Sequence, residues 1–222
     1  MISCARATLR LLGLTLLAIT ALTSIGLASA QTPALRAKSD YEILPQPQPV
    51  ATGERIEVVE FFWYGCPHCN NLQPSLENWL KRKPADVELR RVPAVFRDSW
   101  MPHARLFYTL DALGELPRLH QSVYRAIHME KESLTTASTS GDWAMRHGIE
   151  PAKWLAAYNS PEVERKVQES IKLTRAYSVP GTPSLVVDGR YLTSSSMAES
   201  MPAVITTLDG LIAMVREQRG RK

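Results

Sequence analysis

The chain has 222 residues, of which 45% are hydrophobic and 22% are charged, and its formal net charge at pH 7 is +4. This composition is ordinary for a globular protein, and the length suits one domain with an insertion or two small domains. The small charge, with no clustered basic face, gives no reason to expect nucleic-acid binding.

Residues 1–30 have the three parts of a secretory signal peptide. Arg6 and Arg10 form the positive start, Leu11 to Leu22 form the apolar stretch, and Ala28 to Ala30 provide the small residues of a cleavage site. The alternative is a membrane anchor, but the apolar stretch is shorter than the roughly 20 residues that a span requires.

Cleavage near Ala30 would leave residues 31–222 and remove Cys4, so that the mature chain would keep only Cys66 and Cys69. The formal charge would fall to +2, because two arginines and no acidic residue are lost. Export would bring these two cysteines into a compartment that allows disulfides.

Residues 31–53 are rich in proline, and the alternation of Gln and Pro from Gln46 to Pro49 excludes a helix. We predict an extended arm in which Tyr41 to Leu44 form an edge strand. The arm carries no evident chemistry.

The apolar run Ile56 to Phe62 predicts a buried strand, and apolar residues then recur at helical spacing from Cys69 to Leu80. Cys66 lies where this helix begins, and Pro67 occupies its first turn. Unpaired N–H groups and the helix dipole favour a negative charge there, so Cys66 is expected to ionise easily. Cys69 lies one turn further along, on the apolar face, and is expected to be buried.

Two other uses of a Cys-x-x-Cys pair fit less well. A structural zinc ion needs about four ligands, His68 lies between the two cysteines where it is poorly placed to share their ion, and the other histidines are scattered singly. A structural disulfide that closes so short a loop would add little stability. We therefore predict no metal site.

Alternation along the first strand places Glu60 on the same face as Ile56, Val58 and Phe62. A carboxylate among such neighbours is unfavourable unless it is paired, hydrogen-bonded or protonated. One interpretation is that Glu60 reaches solvent at the edge of the sheet. The functional interpretation is a buried acid with a raised pKa, close enough to the second sulfur to pass its proton.

The segment Val87 to Val92 alternates and predicts a second central strand, parallel to the first. Helical periodicity then continues from Pro102 to about Ala176 without a strand, and we interpret this block as a lid or wall beside the cysteines. The breaks between its helices are predicted at Gly114, Gly141, Gly148, Pro151 and Pro161.

The sheet is predicted to resume with a hairpin, in which Leu185 to Val187 are followed by Asp-Gly and then by Arg190 and Tyr191. Pro183 precedes a strand directly, which suits a cis proline in a sharp turn, although an ordinary loop proline is the alternative. A final helix has apolar residues on one face from Val204 to Val215 and is expected to fade into a basic tail from Arg216.

Three features follow one another along the chain. They are Cys66-Pro67-His68-Cys69 after Glu60-Phe61-Phe62, the helical insertion, and Gly181-Thr182-Pro183-Ser184 before Val-Val-Asp-Gly-Arg-Tyr. In this order they resemble the DsbA family of bacterial periplasmic thiol:disulfide oxidoreductases. The resemblance implies an α/β thioredoxin-like fold with a helical domain inserted between the two halves of the sheet. Its expected parts are residues 54–97 and 178–222 for the thioredoxin-like domain and residues 98–177 for the inserted domain.

The resemblance also implies roles for the residues around the cysteines. Cys66 would be the attacking sulfur, and His68 would stabilise its thiolate by its charge or by donating a hydrogen bond. Glu60 matches the family's buried acid, which is often paired with a lysine on the neighbouring strand. This chain has Arg90 and Arg91 there, and either of them could take that place.

Pro183 matches the family's cis-proline, which packs against the cysteines, and Thr182 would offer backbone hydrogen bonds to an extended substrate. The implied activity is donation of the Cys66–Cys69 disulfide to newly exported proteins with free cysteines, through a mixed disulfide. No cofactor is expected beyond this redox-active disulfide. The expected partner is a quinone-linked inner-membrane reoxidase of the DsbB type, and the chain is expected to be a monomer.

Two other functions remain open from the sequence. One is a periplasmic reductase or isomerase on the same fold, which would need an electron donor. The other is a peptide-binding, chaperone-like module that uses the helical wall, in which the cysteines would be incidental.

Overall fold

The computed structural model describes residues 35–198 and 200–220. The predicted signal peptide and the first residues of the Pro-rich arm lie outside the described residues. The strands are β1 (Glu42–Ile43), β2 (Ile56–Phe62), β3 (Val87–Pro93), β4 (Ser184–Val187) and β5 (Tyr191–Ser194). The helices are α1 (Pro67–Arg82), α2 (Met101–Ala112), α3 (Leu116–His128), α4 (Ala137–Arg146), α5 (Pro151–Tyr158), α6 (Pro161–Ala176) and α7 (Met201–Gly220).

The five described strands form one sheet in the order β1-β5-β4-β2-β3. β2 pairs in parallel with β3, from Ile56 opposite Val87 to Phe62 opposite Pro93, and antiparallel with β4. Every residue of β2 is buried, as expected for a strand with neighbours on both sides and helices on both faces. The predicted strand at Ile56–Phe62 and its parallel partner are confirmed.

The Pro-rich arm and the hairpin supply the other three strands of the sheet, on the side of β2 opposite β3. β1 is an edge strand paired with β5, but it is shorter than the predicted Tyr41–Leu44. The hairpin is confirmed, and its second strand continues further than predicted, to Ser194. Gly189 in its turn has a φ of +63°, and a Cβ there would lie 2.1 Å from the carbonyl oxygen of Gln48, so the arm packs directly on the turn.

Helices α1 and α7 pack together on one face of the sheet, joined by a hydrogen bond of 2.7 Å from Trp79 Nε1 to Asp209 Oδ1. The final helix continues beyond the predicted apolar face to Gly220, so the expected fading at Arg216 is wrong. The reason is that Arg216 makes two hydrogen bonds of 2.7 Å to Asp86 and Arg219 binds Asp188, which holds the last turns against the domain.

Helices α2 to α6 lie between β3 and β4 in the chain, and the described part of this block contains no strand, as predicted. The break predicted at Gly141 is wrong, because Gly141 lies inside α4. A Cβ at this position would lie 3.2 Å from Trp154 Cδ1, so the glycine lets α5 approach α4 closely. Buried side chains of the block form one apolar cluster with Phe62, Cys66 and Cys69, which places the block against the two cysteines.

Candidate active site

Cys66 lies in a tight turn between β2 and α1. It is the N-cap residue of α1, with φ of −86° and ψ of 118°, and its backbone N–H donates to the Trp63 carbonyl at 3.0 Å. Gly65 is required in this turn because a Cβ there would lie 2.3 Å from the Trp63 indole. Cys66 is buried, with 7% of the residue exposed.

The pKa of the Cys66 thiol is lowered to about 5. The largest cause is a hydrogen bond with the side chain of Cys69. A hydrogen bond with the side chain of Thr182 and the backbone N–H groups of Cys69 and His68 act in the same direction, against the effect of burial. Those N–H groups are the donors that the first turn of a helix leaves unpaired. The pKa of Cys66 is therefore lowered, as predicted. The hydrogen bond with Cys69 lowers it more than the N–H groups at the helix start do.

Cys69 has the opposite character. It is fully buried, and both thiols are free in this structure. Burial raises the pKa of Cys69 well above its ordinary value, and the hydrogen bond and charge of Cys66 raise it further. One thiol of the pair therefore ionises at neutral pH while the other stays protonated.

Thr182 and Pro183 lie beside Cys66, and the peptide bond between them is cis, as predicted. The Cys66 S–H donates to the Thr182 carbonyl oxygen over 3.2 Å. A thiolate has no hydrogen to donate, so ionisation of Cys66 frees this carbonyl to accept a hydrogen bond from another chain.

Glu60 is fully buried and does not reach the edge of the sheet. Its Oε1 accepts from Gln73 Nε2 at 2.9 Å and its Oε2 accepts from Arg91 Nε at 3.0 Å. Burial raises the pKa of this carboxyl despite the attraction of Arg91. The charge of this carboxylate also contributes to the raised pKa of Cys69.

The structure settles which arginine pairs with Glu60. Arg91 lies directly opposite Glu60 in the parallel ladder and on the same face, whereas Arg90 points to the other face and binds a second buried carboxylate, Glu57, at 3.0 Å. Glu57 was not predicted to be a buried acid. Its burial follows from the central position of β2, which the alternation of a single strand does not reveal.

A groove of about 320 Å³ is bounded by the loop that carries the cis-proline. His68 is exposed and lines this groove. Its backbone N–H is among the groups that lower the pKa of Cys66, while its side chain faces the groove. The other lining residues are Pro180, Gly181, Thr182, Pro183, Ser184, Ser194, Ser195 and Ser196.

Two histidines of the helical block lie within hydrogen-bond distance of Tyr64, which precedes the cysteines, and the sequence did not indicate these contacts. The Tyr64 hydroxyl and His120 Nδ1 are 2.8 Å apart, and His128 Nε2 lies 2.7 Å from the Tyr64 carbonyl oxygen. Trp63 stacks on Trp100 with their ring centroids 4.1 Å apart. These partners are far apart in the chain, and no local pattern could have revealed them.

Among residues 35–198 and 200–220, no group of three or more His, Cys, Asp or Glu side chains could hold a metal ion. In the same part of the chain, no helix combines the length and the apolar character needed to cross a membrane.

The fold and the paired thiols of contrasting acidity define a protein of the thiol:disulfide exchange class, built on a thioredoxin-like sheet. The model of the DSBA-like thioredoxin domain matches residues 91–205. This range includes Thr182 and Pro183 and begins after the two cysteines.

Curated relatives extend the similarity over most of the chain. The chain is 38% identical to the thiol:disulfide interchange protein DsbA of Burkholderia cepacia, over 87% of this chain and 92% of that protein. It is 39% identical to DsbA of Bordetella parapertussis, over 91% and 96%. The crystal structure of Pseudomonas aeruginosa DsbA superposes with a TM-score of 0.80 at 35% identity, over 84% of this chain and 97% of that chain. The chain belongs to the DsbA family and is a thiol:disulfide oxidoreductase.

Proposed function

We propose that this protein is a periplasmic oxidase that donates its Cys66–Cys69 disulfide to newly exported proteins. The observation that carries the proposal is the contrast between the two thiols, since the pKa of Cys66 is lowered to about 5 while that of Cys69 is raised. A stabilised Cys66 thiolate favours the reduced form of the pair, so the disulfide is readily given away.

The proposed reaction has two exchange steps. A substrate thiolate attacks Cys66 Sγ, the Cys66–Cys69 bond breaks, and Cys69 leaves with the electron pair. A second substrate thiolate then attacks the substrate sulfur of the mixed disulfide and releases the Cys66 thiolate. The substrate loses two electrons to the cysteine pair, and the acidic Cys66 is a good leaving group in the second step.

Glu60 supplies the proton that the first step requires. Cys69 cannot remain a thiolate in its buried position, so protonated Glu60 transfers its proton to Cys69 and becomes a carboxylate held by Arg91. When the pair is reoxidised, the Glu60 carboxylate takes the proton back as Cys69 attacks. Its complete burial and raised pKa support this role.

Thr182 and Pro183 form the wall of the groove that would hold an extended substrate. The Thr182 carbonyl accepts no hydrogen from Cys66 when Cys66 is in the disulfide, so it would accept a backbone N–H of the substrate. His68 lines the same groove, and its imidazole would add to the stabilisation of the thiolate by charge or by a hydrogen bond. The serines of the groove impose little side-chain selectivity, which suits many different unfolded chains.

The location and partners are proposed from the sequence and the family. Residues 1–30 would direct export and be removed near Ala30, and the remaining chain would consist of the arm (31–53), a thioredoxin-like domain (54–97 and 178–222) and an inserted helical domain (98–177). It would act as a monomer without a further cofactor. A quinone-linked inner-membrane enzyme of the DsbB type would reoxidise the cysteine pair.

Reduced, unfolded ribonuclease provides the test. The oxidised protein should remove two free thiols from the substrate for each molecule of enzyme, and the Cys66→Ser variant should remove none. If the oxidised protein left the substrate thiols free while its reduced form cleaved substrate disulfides, the protein would be a reductase and the proposal would be wrong.

A further inference from the structure

The buried acid Glu60 belongs to a closed ring of five hydrogen-bonded side chains. Glu60 accepts from Gln73 at 2.9 Å and from Arg91 at 3.0 Å. Arg91 Nη2 also donates to Glu77 Oε1 at 2.7 Å, so a single guanidinium serves two carboxylates. Gln121 Nε2 closes the ring by donating to Gln73 Oε1 at 3.1 Å and to Glu77 Oε1 at 3.3 Å.

The two carboxylates of the ring have very different access to water. Glu60 is fully buried, whereas the Glu77 side chain is 34% exposed. Water therefore stabilises the charge of Glu77 in a way that it cannot stabilise the charge of Glu60. Of the two carboxylates that share Arg91, Glu77 is the one that water reaches.

A buried arginine needs an anionic partner at every stage of the reaction. Arg91 is 17% exposed at its side chain, and a guanidinium cannot release its proton in a protein. If Glu60 were its only partner, protonation of Glu60 would leave a nearly buried cation unpaired, which is strongly unfavourable. The contact with Glu77 gives Arg91 a carboxylate partner even when Glu60 is protonated.

We propose that Glu77 is a positioning residue that serves as the alternative counter-ion of Arg91 and thereby allows Glu60 to gain and release the proton of the redox cycle. Gln73 and Gln121 hold the two carboxylates in place. The ring ties α1, β3 and α3 together, so the buried acid, its cation and its exposed counter-ion keep their positions while the proton moves. The inference deepens the proposed relay and depends on it for its role in the reaction.

The other titratable groups near Glu60 stay neutral or belong to the reacting pair. Burial raises the pKa of Tyr64 and of Tyr124 well above the ordinary value and lowers the pKa of His120 well below it. Leu185 faces Glu60 from β4. The charges that act on Glu60 therefore come from Arg91 on β3 and Glu77 on α1.

The experiment is a carboxyl ¹³C NMR titration of Glu60 in the full-length, oxidised protein, with the Glu60 signal assigned by its loss in Glu60→Gln. In Glu77→Gln, Arg91 has Glu60 as its only carboxylate partner, so the Glu60 midpoint should shift to lower pH. The matched control is Glu88→Gln, since Glu88 lies on β3, has a side chain 36% exposed, much like that of Glu77, and pairs with Arg55 at 2.7 Å. It should leave the midpoint unchanged.

An unchanged or higher Glu60 midpoint in Glu77→Gln would overturn the inference. A downward shift that Glu88→Gln reproduced would also overturn it, because surface charge in general would then be the cause. The relay is tested separately, by the rate at which reduced substrate attacks the oxidised protein. If Glu60→Gln left that rate and its pH profile unchanged, the relay would fall whether or not Glu77 controls the titration of Glu60.

Discussion

The acidity of Cys66 depends first on a single neighbour, the thiol of Cys69. Replacing Cys69 with Ala removes the S–H donor, so the pKa of Cys66 should rise, and replacing it with Ser keeps an O–H donor, so the rise should be smaller. The pH dependence of alkylation at Cys66, mapped by mass spectrometry, measures both. Equal pKa values in the two variants would show that the hydrogen bond from Cys69 is not a principal cause.

Some features of the site's residues could be predicted from the sequence, and others could not. The positions of Cys66 at a helix start and of Glu60 on a buried face follow from spacing and alternation, which are local properties. The identity of the arginine that pairs with Glu60 does not follow from the sequence, because alternation along one strand leaves its register with the neighbouring strand undefined. The observed ladder places Arg91, and not Arg90, opposite Glu60.

At the scale of elements, the turn between β2 and α1 depends on the absence of a side chain at Gly65. In Gly65→Ala the new Cβ would displace the Trp63 indole and disrupt its stacking on Trp100. Such overpacking lowers the free energy of unfolding by about 1–3 kcal/mol. Urea unfolding measures the loss, and Gly181→Ala is the control, because no atom lies within 4 Å of a Cβ at that position. Equal stability of the two variants would contradict this account of the turn.

The elements themselves were predictable where their periodicity is strong. The central strand, its parallel partner and the hairpin were recovered because buried strands have continuous or alternating apolar residues. Gly141 was misleading because a glycine can break a helix or allow close packing within one, and only the position of Trp154 distinguishes the two cases. The continuation of α7 to Gly220 depends on ion pairs with Asp86 and Asp188, which are distant in sequence.

At the scale of the whole molecule, the acidity of Cys66 links folding stability to redox state. In the reduced protein between pH 5 and about 8.5, Cys66 is ionised when folded and protonated when unfolded. The unfolded state then binds the extra proton, so the stability of the reduced protein rises with pH in this window. Cys69 stays protonated in both states there and does not change the slope. The oxidised protein has neither thiol, so its stability lacks this contribution to the pH dependence.

The pKa of Cys66 is tested by the difference in free energy of unfolding between the reduced and oxidised proteins as a function of pH. Groups that have the same pKa in both redox states cancel in this difference, and making the comparison in Glu60→Gln removes the one acid whose protonation the proposed relay changes. The effect of closing so short a loop does not depend on pH. The account predicts that the difference moves in favour of the reduced protein by up to ~1.4 kcal/mol per pH unit above pH 5, and levels off below it. A difference that does not change between pH 5 and pH 8 would mean that Cys66 has an ordinary pKa, and would contradict an oxidase driven by its thiolate.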